Sequence, residues 1–306
     1  MDLSKALLGL GIAASLYLCV RLASFIYLYT RPSSLHLYRY GSKPWALVTG
    51  ASDGIGLGFA QELAQNGFNV MLHGRNPTKL ANVKARLTAE LPAVEFRIAV
   101  ADASSTCPRQ IDDLVASLQD LNLTVLINNV GGGERVQTLE TNTAEDIDMA
   151  ININARFPIQ LTRAILPQFI KSEGRRLIMN IGSLADYGVP YAVAYGGSKA
   201  FNMATSSSLT VEMKAEGRRN IEILAIPVGK VTEVAHSDDP VTWFTPGART
   251  MAKAALQRVG SGKPIVIGHF GHAVQKFFLD LLSASVWFAV VVPVMRRYKE
   301  NEMKKR

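Results

Sequence analysis

The chain has 306 residues, 48% of them hydrophobic and 19% charged, a composition that excludes intrinsic disorder. Its formal charge of +8 sits at the ends: residues 1–45 carry +4 and residues 296–306 carry +4, while 46–295 hold 22 basic and 22 acidic side chains. A neutral body of that length excludes a basic nucleic-acid-binding domain and fits one α/β domain. Two cysteines, Cys19 and Cys107, are too few for a disulfide framework, and no Cys/His cluster has zinc-ligand spacing.

Residues Ala6–Tyr29 are apolar apart from Arg21 and a few small or hydroxyl residues. As a helix this run reaches roughly 36 Å, enough for a hydrocarbon layer of about 30 Å. A membrane anchor is expected over 1–30, with Arg21 snorkelling to the interface. A cleaved signal peptide and a buried hairpin are the alternatives; the run is long for a signal core and lacks a clear small-residue cleavage site. Arg31, Arg39 and Lys43 follow the run and Asp2 and Lys5 precede it, which places the body in the cytosol. Residues 31–44, from Pro32-Ser33-Ser34 to Pro44, read as a linker to a domain over 45–270.

In that domain short β-type runs alternate with helical patterns. Strands are expected near 45–49, 69–73, 95–101, 124–128, 176–181, 221–226 and 264–267. Helices are expected near 55–66, 77–90, 107–120, 143–171, 191–217 and 246–259. Joined by right-handed crossovers, these give an α/β doubly wound Rossmann fold, a seven-stranded parallel sheet with helices on both faces.

The first strand runs into Thr49-Gly50-Ala51-Ser52-Asp53-Gly54-Ile55-Gly56 and then a helix. Glycines let the backbone turn sharply and approach a pyrophosphate, and a helix N-terminus offers N–H groups to it. Gly50, Ser52, Asp53, Gly54, Ile55 and Gly56 are therefore expected to hold a dinucleotide. The second strand ends in His73-Gly74-Arg75-Asn76, without the acid that would repel a 2′-phosphate, and Arg75 can pair with one, which favours NADP(H). Asp102, after the third strand, is placed to accept from the adenine amine; a cap for a helix over 104–120 is the alternative.

Tyr195 and Lys199 lie at i and i+4 on one helix face, after a strand and loop carrying Ser183. A neighbouring ammonium would lower the phenol pKa from about 10 and tune it for proton transfer. Ser183 and Tyr195 then share the carboxyl edge of the sheet with the cofactor crevice. Near the C-terminus, Leu281–Met295 is apolar and is followed by Arg296 and Arg297. Over 271–306 an interfacial helix on lipid is expected, with packing on the domain as the alternative. The tail Met303-Lys304-Lys305-Arg306 resembles a retrieval signal without lysine at the fourth position from the end, a weak pointer to the endoplasmic reticulum.

Thr49–Gly56, Asn128-Asn129-Val130-Gly131, Asn154, Ser183 and Tyr195/Lys199 occur in the order and spacing of the short-chain dehydrogenases/reductases, and the chain is similar to them over roughly 45–235. TGASDGIG, NNVG, the N-terminal apolar run and the region Gly268–His272 resemble the membrane-bound 17β-hydroxysteroid dehydrogenase/very-long-chain 3-oxoacyl-CoA reductase group. The resemblance implies that Tyr195 protonates the substrate carbonyl, Ser183 hydrogen-bonds it, and Lys199 lowers the Tyr195 pKa and holds the nicotinamide ribose. It implies that Asn154 distorts its helix and holds a relay water, that Asn128, Asn129 and Gly131 support the cleft, and that Val231 and Thr232 flank the carboxamide. The family's Pro-Gly-x-Val-x-Thr is here Pro227-Val228-Gly229-Lys230-Val231-Thr232, with the glycine displaced and Lys230 in the valine place. The expected activity is NADPH-dependent reduction of a lipophilic ketone, 3-oxoacyl-CoA before a steroid, at the cytosolic face of the endoplasmic reticulum or on a lipid droplet. A catalytically silent NADP-binding scaffold at a lipid surface is the rival from another class. The helices at 143–171 and 191–217 resemble those that pair subunits in the superfamily, so a homodimer and simple core packing both stay open.

Overall fold

Apolar residues on both faces of each central strand call for a sheet covered twice. Trp45 and Leu47 of the first strand enter one core and Ala46 and Val48 the other, as the period of two requires. A computed structural model describes residues 3–132, 135–234, 237 and 239–304. After the helix α1 (Leu3–Thr30) come β1 (Trp45–Thr49), α2 (Gly54–Gln65), β2 (Asn69–Gly74), α3 (Pro77–Glu90), β3 (Phe96–Val100) and α4 (Pro108–Ala116). The second half runs β4 (Leu123–Asn128), α5 (Ala144–Ile151), α6 (Phe157–Ile170), β5 (Arg176–Ile181), α7 (Val193–Ala215), β6 (Ile221–Ile226) and α8 (Ala248–Leu256). Two further helices, α9 (Phe270–Asp280) and α10 (Ala284–Lys304), close the chain.

All strand pairs are parallel, in the order β3-β2-β1-β4-β5-β6, so the order reverses between β1 and β4 and leaves a crevice at their carboxyl ends. Phe59, Leu63, Leu80, Leu87 and Met251 fill the core on one face; Leu118, Leu161, Ile165 and Phe169 fill the other.

The seventh strand expected at 264–267 is a correction: the described residues form six. Only Ile265 bridges, to Ala225, through Ala225 N–H to the Pro264 carbonyl at 2.8 Å and Val266 N–H to the Ala225 carbonyl at 3.0 Å. Pro264 has no N–H to extend the ladder, and the Ile267 carbonyl is taken by the Tyr29 hydroxyl at 2.8 Å. The helix expected over 143–171 is present without a gap over 144–170, with a π turn at Asn152–Arg156 between α5 and α6.

Among the described residues α1 is the one helix long and apolar enough to cross a membrane. Its last turn joins the fold: Leu28 is buried, and Phe25 and Tyr29 pack against Phe270 with ring centres 5.7 and 5.2 Å away, the second edge-to-face. Segment 31–44 is more than a tether. Leu35 and Tyr38 enter the core, the Tyr38 hydroxyl bonds Glu222, and the Ser33 hydroxyl donates to the Leu256 carbonyl at 2.7 Å.

Candidate active site

The crevice begins at the glycine turn after β1. Gly50 has φ +67°, and a Cβ there would stand 3.1 Å from the Val130 backbone, so this turn needs glycine. At Gly56 a Cβ would collide with the Gly50 carbonyl, which keeps the start of α2 pressed against the turn. The buried Thr49 hydroxyl fastens turn to loop, accepting from the N–H groups of Asn129 at 2.9 Å and Val130 at 3.1 Å, while Asn129 Nδ2 donates back to the Thr49 carbonyl at 3.0 Å. Asp53 caps α2, its Oδ1 accepting from Gly54 N–H at 2.7 Å. The N–H groups of Ile55 and Gly56 fall in the first turn, where a helix has no carbonyl of its own to offer them. With Ser52 half-buried beside them, this cradle fits a pyrophosphate.

Arg75 stands exposed just past the carboxyl end of β2. Asp102 folds back on its own loop, accepting from Ser104 N–H at 2.9 Å and Ser104 Oγ at 2.8 Å. It is not the helix cap, because α4 starts later, at Pro108 after Cys107. Thr232 is buried and its hydroxyl donates to the carbonyls of Ser237 at 3.2 Å and Asp239 at 2.5 Å; Val231 beside it is buried too.

The catalytic candidates meet at the other end of the crevice. Ser183 caps a short turn over Leu184–Tyr187, its Oγ accepting from Ala185 N–H at 3.1 Å. At Gly196 a Cβ would stand 2.9 Å from the Ala185 carbonyl, so glycine lets α7 close on that turn and brings Tyr195 onto Ser183. Lys199 is 3% exposed; its Nζ donates to the Ile181 carbonyl at 2.9 Å and lies 5.8 Å from the Tyr195 ring centre. Burial brings the Lys199 pKa down to about 8. Burial also raises the Tyr195 pKa, a hydrogen bond with Ser183 pulls it down, and the Asp186 carboxylate pushes it up, for a net rise. The Lys199 ammonium bonds the Ile181 carbonyl, and burial is the largest influence on the Tyr195 phenol.

Asn154 is fully buried in the π turn. Its Nδ2 donates to the carbonyls of Gly132 at 2.7 Å and Ala150 at 2.8 Å, and its Oδ1 accepts from Gly132 N–H at 3.0 Å. Asn154 Oδ1 and Lys199 Nζ both come within 3.0 Å of the point where Gly131 would carry a Cβ, so the loop after β4 needs glycine to pass between them. Behind it, Asn128 donates to Thr162 Oγ1 at 3.0 Å and Asn180 Oδ1 at 2.8 Å.

A strand–glycine-turn–helix cradle and a Ser/Tyr/Lys cluster thus share one sheet edge. The short chain dehydrogenase family profile matches residues 44–240. The chain belongs to this family of oxidoreductases. It is 30% identical over 286 residues to the very-long-chain 3-oxoacyl-CoA reductase of Neurospora crassa, covering 90% of this chain and 84% of that protein. To the very-long-chain 3-oxoacyl-CoA reductase of Caenorhabditis elegans it is 31% identical over 258 residues, 83% of this chain and 80% of the other. A Mycosarcoma maydis reductase of the same description is 36% identical, but over 181 residues, 58% of this chain and 51% of its own length. Among solved structures, a short-chain dehydrogenase from Sphingobium yanoikuyae in complex with NADPH aligns with TM-score 0.65 at 27% identity, over 79% of this chain and 97% of that one.

Within this short-chain dehydrogenase, three residues near the site escape a reading of the sequence. Asp186 lies inside the short turn Leu184–Tyr187, and only packing makes its carboxyl buried enough to act on Tyr195. His73, next to last in β2, lies fully inside, stacked on Phe157 at 5.2 Å, and burial brings its pKa down to about 4. His272 of α9 touches the loop after β6 from beyond the matched region. The glycine at 229 was the available signal for it.

Proposed function

We propose that the protein reduces the ketone of a lipophilic acyl thioester, 3-oxoacyl-CoA to 3-hydroxyacyl-CoA, with NADPH. The carrying observation is the convergence of Ser183, Tyr195 and Lys199 on the edge that holds the glycine turn, in a chain similar over most of its length to very-long-chain 3-oxoacyl-CoA reductases. Gly50, Ser52, Gly54, Ile55 and Gly56 would cradle the pyrophosphate, with Asp53 shaping the helix end. Arg75 would meet the 2′-phosphate, Asp102 the adenine, and Asn129, Val231 and Thr232 the walls nearer the nicotinamide. NADPH supplies the hydride for the carbonyl carbon.

The Ser183 hydroxyl orients the carbonyl oxygen and the Tyr195 hydroxyl gives it a proton. A phenol held above its ordinary pKa keeps that proton at neutral pH, which suits the reductive direction. Lys199 offsets the phenolate charge as it forms, and Asn154 fixes the loop beside it. The anchor α1 would hold the enzyme in the endoplasmic reticulum membrane with its body in the cytosol, α10 lying at the lipid interface and the long helices free to pair two subunits. The test is NADPH oxidation by the membrane fraction with 3-oxoacyl-CoAs of graded length against steroid ketones. Tyr195→Phe is expected to lower turnover by roughly 10²–10⁴-fold while NADPH binding persists. Undiminished turnover in that variant overturns the assignment, and turnover confined to steroid ketones overturns the substrate.

A further inference from the structure

The segment after β6 crosses the crevice from one functional end to the other. Near its start, the Val228 carbonyl accepts from Leu184 N–H at 3.0 Å, next to Ser183. Near its far end, Val234 Cγ1 stands 3.0 Å from where Gly54 would carry a Cβ, so it lies on the glycine turn. A dinucleotide reaching from that turn to Tyr195 has to run along this segment.

The middle of the segment is held from outside the sheet. His272, fully buried on α9, accepts the Gly229 N–H on Nδ1 at 3.2 Å, and its Nε2 lies 3.0 Å from the Lys230 carbonyl. Because Nδ1 accepts, the neutral ring carries its proton on Nε2 and donates it to that carbonyl. Burial brings the His272 pKa down to about 4, so one tautomer serves both bonds at neutral pH. A Cβ at Gly229 would stand 3.0–3.2 Å from three ring atoms, so the glycine displaced within Pro227–Thr232 is what admits the imidazole. On the other side a Cβ at Gly271 would collide with the Trp243 carbonyl, which keeps this turn of α9 pressed in place.

We propose that His272 is a positioning residue: its paired hydrogen bonds set the Gly229–Lys230 wall against which the nicotinamide half of the cofactor is seated, making α9 part of the cofactor site. The proposal rests on the cofactor reading above. Full-length protein in detergent is compared as wild type, His272→Phe, His272→Asn, Gly229→Ala and the Gly229→Ala/His272→Asn double variant. NADPH Kd is read by fluorescence, turnover by NADPH oxidation, and folding by thermal unfolding. His272→Phe is expected to raise the NADPH Kd at least tenfold and lower kcat, with little change in ketone KM. His272→Asn, which keeps an acceptor near the Nδ1 position, recovers part of that loss. Gly229→Ala alone weakens NADPH binding through the ring, so its effect shrinks in the Asn background. If His272→Phe does not fold, the Gly229/Asn cycle decides alone. An NADPH Kd within twofold of wild type in the folded variants, or strictly additive effects, overturns the proposal. A wild-type protein that does not bind NADPH overturns the cofactor reading itself.

Discussion

Lys199 carries an ammonium where almost no water reaches it, with one carbonyl as its partner. Burial disfavours the charged form and brings its pKa down to about 8, so the charge is present below that value and lost above it. If Tyr195 needs that charge when it gives up its proton, kcat/KM for ketone reduction is level below about pH 8. Above it, kcat/KM falls toward tenfold per pH unit. Lys199→Arg, which stays protonated, removes the falling limb even if it lowers the maximum. A level wild-type profile to pH 10, with NADPH binding intact, would remove the electrostatic role. The Tyr195/Lys199 pair was legible because i, i+4 spacing fixes a shared helix face before any tertiary structure exists. The net rise of the Tyr195 pKa was not, because it depends on burial and on Asp186, which arrives through the packing of a neighbouring turn.

At the scale of elements, the six strands fell where β-rich runs bounded by turn residues predict them, since the central strands are buried on both faces and read as largely apolar stretches, while the edge strand β3 keeps Arg97 and Val100 in reach of solvent. The seventh failed for local reasons: four residues that begin with a proline, with one carbonyl diverted to Tyr29. The π turn in 143–171 has one local cause, Pro158 just after it, which has no N–H to return to the preceding turn, yet the periodic pattern passes through it. The π turn is held by tertiary bonds, with Asn154 binding both polar groups of Gly132 across the loop after β4. Asn154→Ala leaves those groups without their side-chain partner inside the protein. It is expected to cost roughly 2–4 kcal/mol of stability, on the scale of buried polar groups left unmade. Urea unfolding of the variant checks this, and a loss under about 0.5 kcal/mol, the range of an ordinary surface change, would show that the turn holds itself.

At the scale of the molecule, the charge of +8 divides between two basic ends around a neutral enzyme body. The boundary between the apolar N-terminal helix and the enzyme body is not where composition puts it. Apolar composition continues to Tyr29, but the role of α1 changes near Phe25: before it the side chains face outward, after it Leu28, Tyr29, Leu35 and Tyr38 contribute to the fold. Deleting residues 1–23 is therefore expected to leave the thermal midpoint within about 2 °C and NADPH binding unchanged. Deleting residues 1–43 uncovers the core and removes the Tyr38–Glu222 and Ser33–Leu256 bonds. At about 1.5–3 kcal/mol for each large apolar side chain lost from burial, that chain is expected to lose several kcal/mol and much of its folded yield. The shorter deletion also separates the apolar helix α1 from the exposed apolar residues near the C-terminus. Phe277, Phe278, Leu281 and Phe288 of the α9–α10 region remain exposed, so the Δ1–23 protein is expected to float with anionic vesicles and to release at high salt less completely than a purely electrostatic binder. Equal midpoints for the two deletions would put the last turn of α1 outside the fold, and a Δ1–23 protein that stays in solution beside anionic vesicles would remove the proposed lipid contact of α9–α10.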